Sequence, residues 1–346
     1  MSLLLTGATG LVGRLLLKQA PDQAVIAISR QPVALGGNVR VILGDLANPD
    51  FSLPDTLPEV TEIIHCAAAV RFDLPLQDAR AINTLATGKL LDFARRQPGL
   101  CKFTHVSTVY VMGDDEGQLP EEPYQAASYP NSYEQSKAEA ESLVLKAGKE
   151  LPVQIVRLSS IAGNAKTGVV TQFNHLHQLL KLFPQQILPV IPGHPDNPVD
   201  LIAEDWTVPA LWHLHENAFC PGSIANLSAG PGASIRLADM LAMCAEIYGC
   251  PAPDLVPLDE FERYTESHPG PLIGRLMKAL GLFLPHLGRR QTFLNARTLT
   301  RIPEPPPQVK NFLPAIVRYC ASGGHMVTAA KLTDAESPAL GAFSAF

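Results

Sequence analysis

The stretch Thr6-Gly7-Ala8-Thr9-Gly10-Leu11-Val12-Gly13 follows a short apolar run, Leu3–Leu5, and opens an amphipathic helical pattern over Leu11–Gln19. Each glycine has its own task in such a turn. Gly7 permits the tight bend, Gly10 lets the backbone approach a pyrophosphate, and Gly13 lets the helix lie against the strand. Phosphates would sit among the backbone of Thr9, Gly10, Leu11, Val12 and Gly13, where unpaired N–H groups and the helix macrodipole favour negative charge. A glycine triplet alone is weak evidence. Its place after the first strand of a βα series makes it a dinucleotide-binding turn.

Outward from that turn, Ala24–Ile28, Val39–Leu43, Glu62–Cys66, Lys102–Val106 and Val153–Leu158 read as strands, with helical patterns at Ala79–Arg96 and Ser132–Lys149 between them. This alternation predicts an α/β protein with a doubly wound parallel sheet, the Rossmann arrangement. Beyond residue 165 the pattern loosens. His175–Leu182 and Ile235–Tyr248 look helical, Ser223–Leu227 looks like a short strand, and Pro251–Pro307 shows no βα alternation. The expected organisation is a nucleotide-binding domain over 1–165, with 195–228 returning to it. A smaller, mostly helical substrate lobe takes 166–194 and 229–324, and 325–346 form a flexible tail.

Composition narrows the function. With 46% hydrophobic residues, the 346-residue chain has material for a large core, and a net charge of −6 argues against a nucleic-acid footprint. The six cysteines are scattered without a CxxC pair, so reduced thiols and no zinc site are expected. His175/His177 and His213/His215 are i, i+2 pairs that diverge on a helix, and no metal is expected there. The first residues lack the basic start and long apolar run of a secretory signal, and no run reaches the ~18 apolar residues that span a bilayer. The chain therefore reads as soluble and cytoplasmic.

The second strand ends in Ser29-Arg30, without the acidic residue that would bond a ribose 2′-hydroxyl. Arg30 can fork onto a 2′-phosphate and Ser29 can add a hydrogen bond, which places NADPH ahead of NADH. Asp45, in Gly44-Asp45-Leu46, is either an acceptor for the adenine amino group or a helix cap. Downstream, Tyr133-Glu134-Gln135-Ser136-Lys137 puts a phenol and an ammonium one helical turn apart. The ammonium is expected to lower the phenol's pKa toward useful acid–base behaviour and to hold the nicotinamide ribose. The strand before it ends in Val106-Ser107-Thr108, where Thr108 is expected to share the substrate oxygen with Tyr133. Ser107 is the rival, because a slip of one residue exchanges the two hydroxyls. Glu134 is expected to be a solvated first-turn residue.

Together these residues resemble the extended short-chain dehydrogenase/reductase superfamily. The matching segments are TGATGLVG (6–13), GDL (44–46), IIHCAAAV (63–70), NTLATGKLL (83–91), VSTVYVMG (106–113), YEQSK (133–137), RLSSIAG (157–163) and PVD (198–200). The resemblance implies catalysis by Thr108, Tyr133 and Lys137, and a cofactor role for Leu46, Ala67, Ala68 and Ala69. It implies that Asn83 is a structural helix residue and that Leu158 and Ser160, within Leu158–Ile161, line the nicotinamide. Leu158 departs from the proline usual there.

VSTVYV is most similar to the thioester reductase and fatty acyl-CoA reductase branch, as, less specifically, is RRQTFLNARTLTRI (289–302). That implies an NADPH-dependent reduction of an acyl thioester or related lipophilic carbonyl, either diffusible or on a separate acyl carrier protein. The resemblance also makes a homodimer plausible. Dehydrogenases and epimerases of hydroxysteroid-like or sugar-nucleotide substrates share the core motifs, and an NADPH-binding scaffold without turnover is a third reading. Pro271–Arg290, mixing apolar residues with Arg275, Lys278, Arg289 and Arg290, reads as an amphipathic helix over the lobe. Its functional alternative is a lid whose cations meet a phosphopantetheine phosphate, and membrane contact ranks last.

Overall fold

The computed structural model describes residues 2–322, apart from 21, 55, 56, 58, 272, 275, 276, 278–280 and 282. The tail 325–346 lies outside the described residues, as do Leu272, Arg275, Leu276, Lys278, Leu280 and Leu282 of the lid segment.

Seven strands form one parallel sheet: β1 (Ser2–Thr6), β2 (Ala24–Ser29), β3 (Val39–Leu43), β4 (Val60–His65), β5 (Lys102–Thr108), β6 (Val153–Leu158) and β7 (Ile224–Leu227). Their order is β7-β6-β5-β4-β1-β2-β3. The direction of winding reverses between β1 and β4, and open parallel sheets bind ligands at such a reversal, outside the carboxyl ends of the strands.

Apolar runs become strands here because both faces of the sheet are covered. On one face, Leu3, Leu5, Ala27 and Val156 meet α1 (Leu11–Gln19) and, further along the chain, Trp206, Leu211 and Leu214. On the other, Leu4, Ile63 and Phe103 meet α3 (Ala86–Arg95) and α4 (Ser132–Ala147) through Leu90, Phe93 and Val144. α3 continues from α2 (Leu76–Arg80) through a π turn at Ala81–Leu85. Complete burial of a leucine such as Leu4 or Leu5 contributes about 1.5–3 kcal/mol.

A separate apolar cluster gathers α5 (His175–Leu182), α7 (Leu237–Tyr248), α8 (Leu258–Ser267), α9 (Leu284–Gly288) and α10 (Val309–Ala321). Between α5 and α7, α6 (Glu204–Glu216) supplies the tryptophan and leucines that cover the sheet. The sequence reading marked neither α6 nor α10. Pro209 and Pro314 interrupt their patterns, yet both helices run through their prolines because burial of one face outweighs the local cost. Ile235–Arg236, read as helical, instead pairs with Pro198–Val199, and the helix begins at Leu237.

At the amino-terminal end of β5 a buried polar group holds the sheet to α6. Glu62 lies 3.1 Å from Lys102 Nζ and 3.4 Å from His215 Nε2, while Thr104 bonds His215 Nδ1 at 2.8 Å. The His215 contact, aided by Lys102 and opposed by burial, holds the Glu62 carboxyl down at about 2. A lowered carboxylate pKa stabilises the fold above the unfolded value and is lost as pH falls toward the folded one. Wild type should therefore lose on the order of 2–3 kcal/mol more than Glu62→Gln between pH ~6 and ~2.5 in denaturant titrations. Parallel pH curves would refute it.

Candidate active site

The glycine turn closes against the loop after β4. Gly7 has φ +72°, and a Cβ there would lie 2.7 Å from the Ala67 nitrogen. A Cβ on Gly13 would lie 2.2 Å from the Gly7 carbonyl oxygen, so only glycine lets α1 start this close to the strand. Gly10, the N-cap of α1, carries no side-chain cap, and on its open side a Cβ would meet only the Gly7 oxygen, at 3.3 Å. Thr9 and Gly10 are exposed, Leu11 and Val12 half-buried. A pyrophosphate fits this surface through backbone N–H groups.

At the end of β2, Ser29 is buried and donates to the Gln31 carbonyl oxygen at 2.8 Å, which shapes the turn. Arg30 is exposed, with no partner among the described residues. Asp45 accepts from the Ala47 N–H at 2.9 Å, so one of its oxygens caps the local turn, and Leu46 points into the core.

Ala67, Ala68 and Ala69 are half-buried on the loop after β4. Asn83, in the π turn, accepts from the Ala69 N–H at 2.8 Å and donates to its carbonyl at 3.1 Å and to Ser136 Oγ at 2.9 Å. One amide thereby ties the cofactor-side loop to the helix that carries Tyr133 and Lys137. Leu158 pairs in register with Thr108 at the sheet's carboxyl edge, and Ser160 follows it beside Tyr110.

Asn131 caps α4 through the Glu134 N–H at 3.0 Å, which starts the helix one residue before Tyr133. The Tyr133 phenol meets the Thr108 hydroxyl, whereas the buried Ser107 hydroxyl has no partner. Lys137 Nζ, on the same helix face, donates to the Val106 carbonyl at 2.8 Å and lies 3.4 Å from His105 Nε2. Thr108, Tyr133 and Lys137 thus converge beside the glycine turn and the alanine loop. Burial pushes the Lys137 ammonium down to about 8, against the opposing pull of Glu141.

Two expectations are corrected. The Tyr133 phenol is pushed up to about 12 by burial and by the Glu134 charge, with the Thr108 hydrogen bond pulling the other way. Lys137 is not among the groups that shift it; its Nζ lies against the Val106 carbonyl and His105. Glu134 is not solvated but completely buried. It accepts from Asn131 at 2.8 Å and meets His286 Nε2 at 3.1 Å, because α9 folds over the first turn of α4.

Sequence reasoning missed the wall above the phenol. Tyr133, Phe72, His175 and Phe283 form a column of four rings, with centroids 5.7, 4.7 and 5.6 Å apart and interplanar angles of 25°, 17° and 10°. The rings come from four separate parts of the chain, so no local pattern announces the column. His175 joins it while His177 turns away to the Ala162 carbonyl, and no group of metal ligands occurs among the described residues. Arg289, at the end of the 271–290 segment, is engaged with Asp114 at 2.8 Å, which argues against the phosphate contact considered for it. No helix among the described residues is long and apolar enough to cross a membrane.

Set beside known proteins, residues 22–211 match the sequence model of the Male sterility protein family. Fatty acyl-CoA reductase 1 of Xenopus laevis is 28% identical over 62% of this chain and 55% of its own length. The chain spans about half the length of the curated relatives it matches. Among solved structures, the terminal R domain of the myxalamid PKS-NRPS pathway superposes with a TM-score of 0.77 at 23% identity, covering 94% of this chain and 91% of that one. UDP-glucuronic acid 4-epimerase of Bacillus cereus superposes at 0.66 with 20% identity, covering 93% and 97%. These two likenesses speak to the fold. With more than half of its length matched, the chain belongs to the Male sterility protein family.

Proposed function

We propose that this chain is an NADPH-dependent reductase of acyl thioesters, bound to CoA or to a separate carrier protein. The observation that carries the reading is a buried phenol at a strand-end hydroxyl, one helical turn from a buried lysine, beside the glycine turn. The kinship with fatty acyl-CoA reductases supports the acyl substrate.

When bound, a reduced nicotinamide would supply the hydride. The glycine turn would hold its phosphates, Arg30 its 2′-phosphate and Lys137 its ribose. At the substrate, Thr108 and Tyr133 would donate to the thioester oxygen as hydride reaches the carbonyl carbon. The carbonyl π pair moves to oxygen, which takes the Tyr133 proton and gives a hemithioacetal. The hydroxyl proton then returns to Tyr133 as the C–S bond breaks, and the thiolate leaves with a proton from water. Overall, thioester, hydride and proton give aldehyde and thiol. A phenol pushed up to about 12 holds its proton at neutral pH, the state a reduction requires.

Reduced-nicotinamide absorbance, followed with a panel of acyl-CoAs, ketones and sugar nucleotides, tests the reading. Oxidation with acyl-CoA and release of free thiol is expected. Turnover of ketones alone would move the chain to the dehydrogenase reading, and NADPH binding without any turnover to the scaffold reading. Arg30→Ala should weaken NADPH by about 10–100-fold, the worth of a charge-assisted contact, with little change for NADH. Equal weakening of both cofactors would remove the 2′-phosphate role.

A further inference from the structure

Behind Lys137 the sheet carries two buried histidines that this chemistry leaves unused, His65 on β4 and His105 on β5, their rings 5.3 Å apart. We propose that His105 is a positioning residue for Lys137, its neutral imidazole accepting one ammonium N–H so that the N–H left over turns to the nucleotide crevice. The inference rests on the cofactor-binding role given to Lys137 above.

The hydrogen-bond directions decide between the two rings. The Ala67 N–H donates to Thr6 Oγ1, and because the Thr87 hydroxyl spends its proton on the Asn83 carbonyl, the neutral His65 carries its own on Nε2 and its Nδ1 accepts from the Thr6 hydroxyl at 2.6 Å. His65 Nε2–H then faces Thr87 Oγ1 at 2.9 Å, and Thr87 donates onward to the Asn83 carbonyl at 2.6 Å. Both His65 nitrogens are spent on this chain, which braces the alanine loop. His105 is the ring that remains for the lysine.

An ammonium can only donate, so the 3.4 Å contact makes His105 Nε2 an acceptor and puts the ring proton on Nδ1. Nδ1 is completely buried with no partner. A proton therefore has nowhere to pass beyond this ring, and His105 ends the line instead of relaying along it. An orphaned buried N–H is a cost that an apolar residue such as Phe103, two positions earlier on the same face, does not carry. Burial and the Lys137 charge hold both imidazoles neutral at physiological pH. With the Val106 carbonyl taking a second N–H, one donor is left for the ribose.

The other titratable groups acting on Lys137 are Cys66, just after β4, His65 on β4 and Glu141 on its own helix, with Glu141 bound by Arg157 from β6. Among the described residues, His105 supplies the side-chain acceptor in contact with the ammonium. Its loss should let Lys137 shed its proton more readily.

The test compares wild type, His105→Leu and His105→Gln, whose amide oxygen can stand where Nε2 does. NADPH binding, followed by nicotinamide fluorescence, should weaken above the lysine pKa, and that alkaline limb should move down by about one pH unit in His105→Leu and return in His105→Gln. Acyl-CoA kcat should fall about tenfold in His105→Leu with acyl-CoA KM nearly unchanged. In wild type, ¹⁵N NMR of the ring, assigned by its disappearance in His105→Gln, should show the Nδ1–H tautomer without titration between about pH 5.5 and 9. An Nε2–H tautomer, a titrating ring, or an unmoved binding limb in folded His105→Leu overturns the proposal. Absence of acyl-CoA turnover in wild type would strike the reductase reading alone, since the NMR and binding arms do not depend on it.

Discussion

Tyr133→Phe should lower kcat by about 10³-fold, within the range lost with a positioned general acid, while NADPH affinity stays nearly unchanged. The substitution removes one oxygen and little else. The ring keeps its place in the column with Phe72, and the start of α4 remains capped by Asn131. What disappears is the proton donor held against Thr108. Without it the developing alkoxide keeps the Thr108 hydroxyl as its donor and loses the phenol's proton. Because no contact of Tyr133 holds Lys137, the placement of the lysine and of the glycine turn should survive, so binding and chemistry should separate. Equilibrium binding by fluorescence and single-turnover oxidation measure the two. Undiminished turnover in the folded variant would strip Tyr133 of its catalytic role.

Arg157→Met should cost about 3–5 kcal/mol of stability, the penalty for leaving a buried charge without its partner. Arg157 is completely buried. Its guanidinium grips Glu141 through contacts of 2.8–3.2 Å and reaches the Pro120 and Glu122 carbonyls at 3.1 Å. Removing it strands the Glu141 carboxylate at 2% exposure and frees two carbonyls. The double variant Arg157→Met/Glu141→Leu removes both charges and should recover much of the loss, because a packed apolar pair avoids the desolvation of two ions. Denaturant unfolding of the single and double variants gives the coupling directly. Additive losses would mean that the pair contributes no more than its separate packing. The same pair fixes α4 to β6 one turn beyond Lys137, so loosening it should also lower turnover.

The periodicity of the first 165 residues was legible because a strand buried on both faces must be continuously apolar and its crossover helices must be amphipathic. The glycine turn was legible for a local reason as well, since a left-handed φ and a close backbone contact admit no Cβ. α6 and α10 were not legible. Their prolines argue against helix in sequence, and only the burial available in the folded chain reverses that preference. The pairing of Thr108 with Tyr133 was readable as a pattern of motifs, but the choice between Ser107 and Thr108 depends on which side of β5 faces α4's first turn.

By itself, the sequence determined the class of fold, the glycine turn after the first strand and the one-turn spacing of phenol and lysine, all of which follow from backbone geometry over a few residues. Tertiary structure alone decided the burial of the phenol, the burial of Glu134, the ring column above Tyr133 and the imidazole behind Lys137. Those depend on desolvation and on contacts between residues tens to hundreds of positions apart, which no local pattern records.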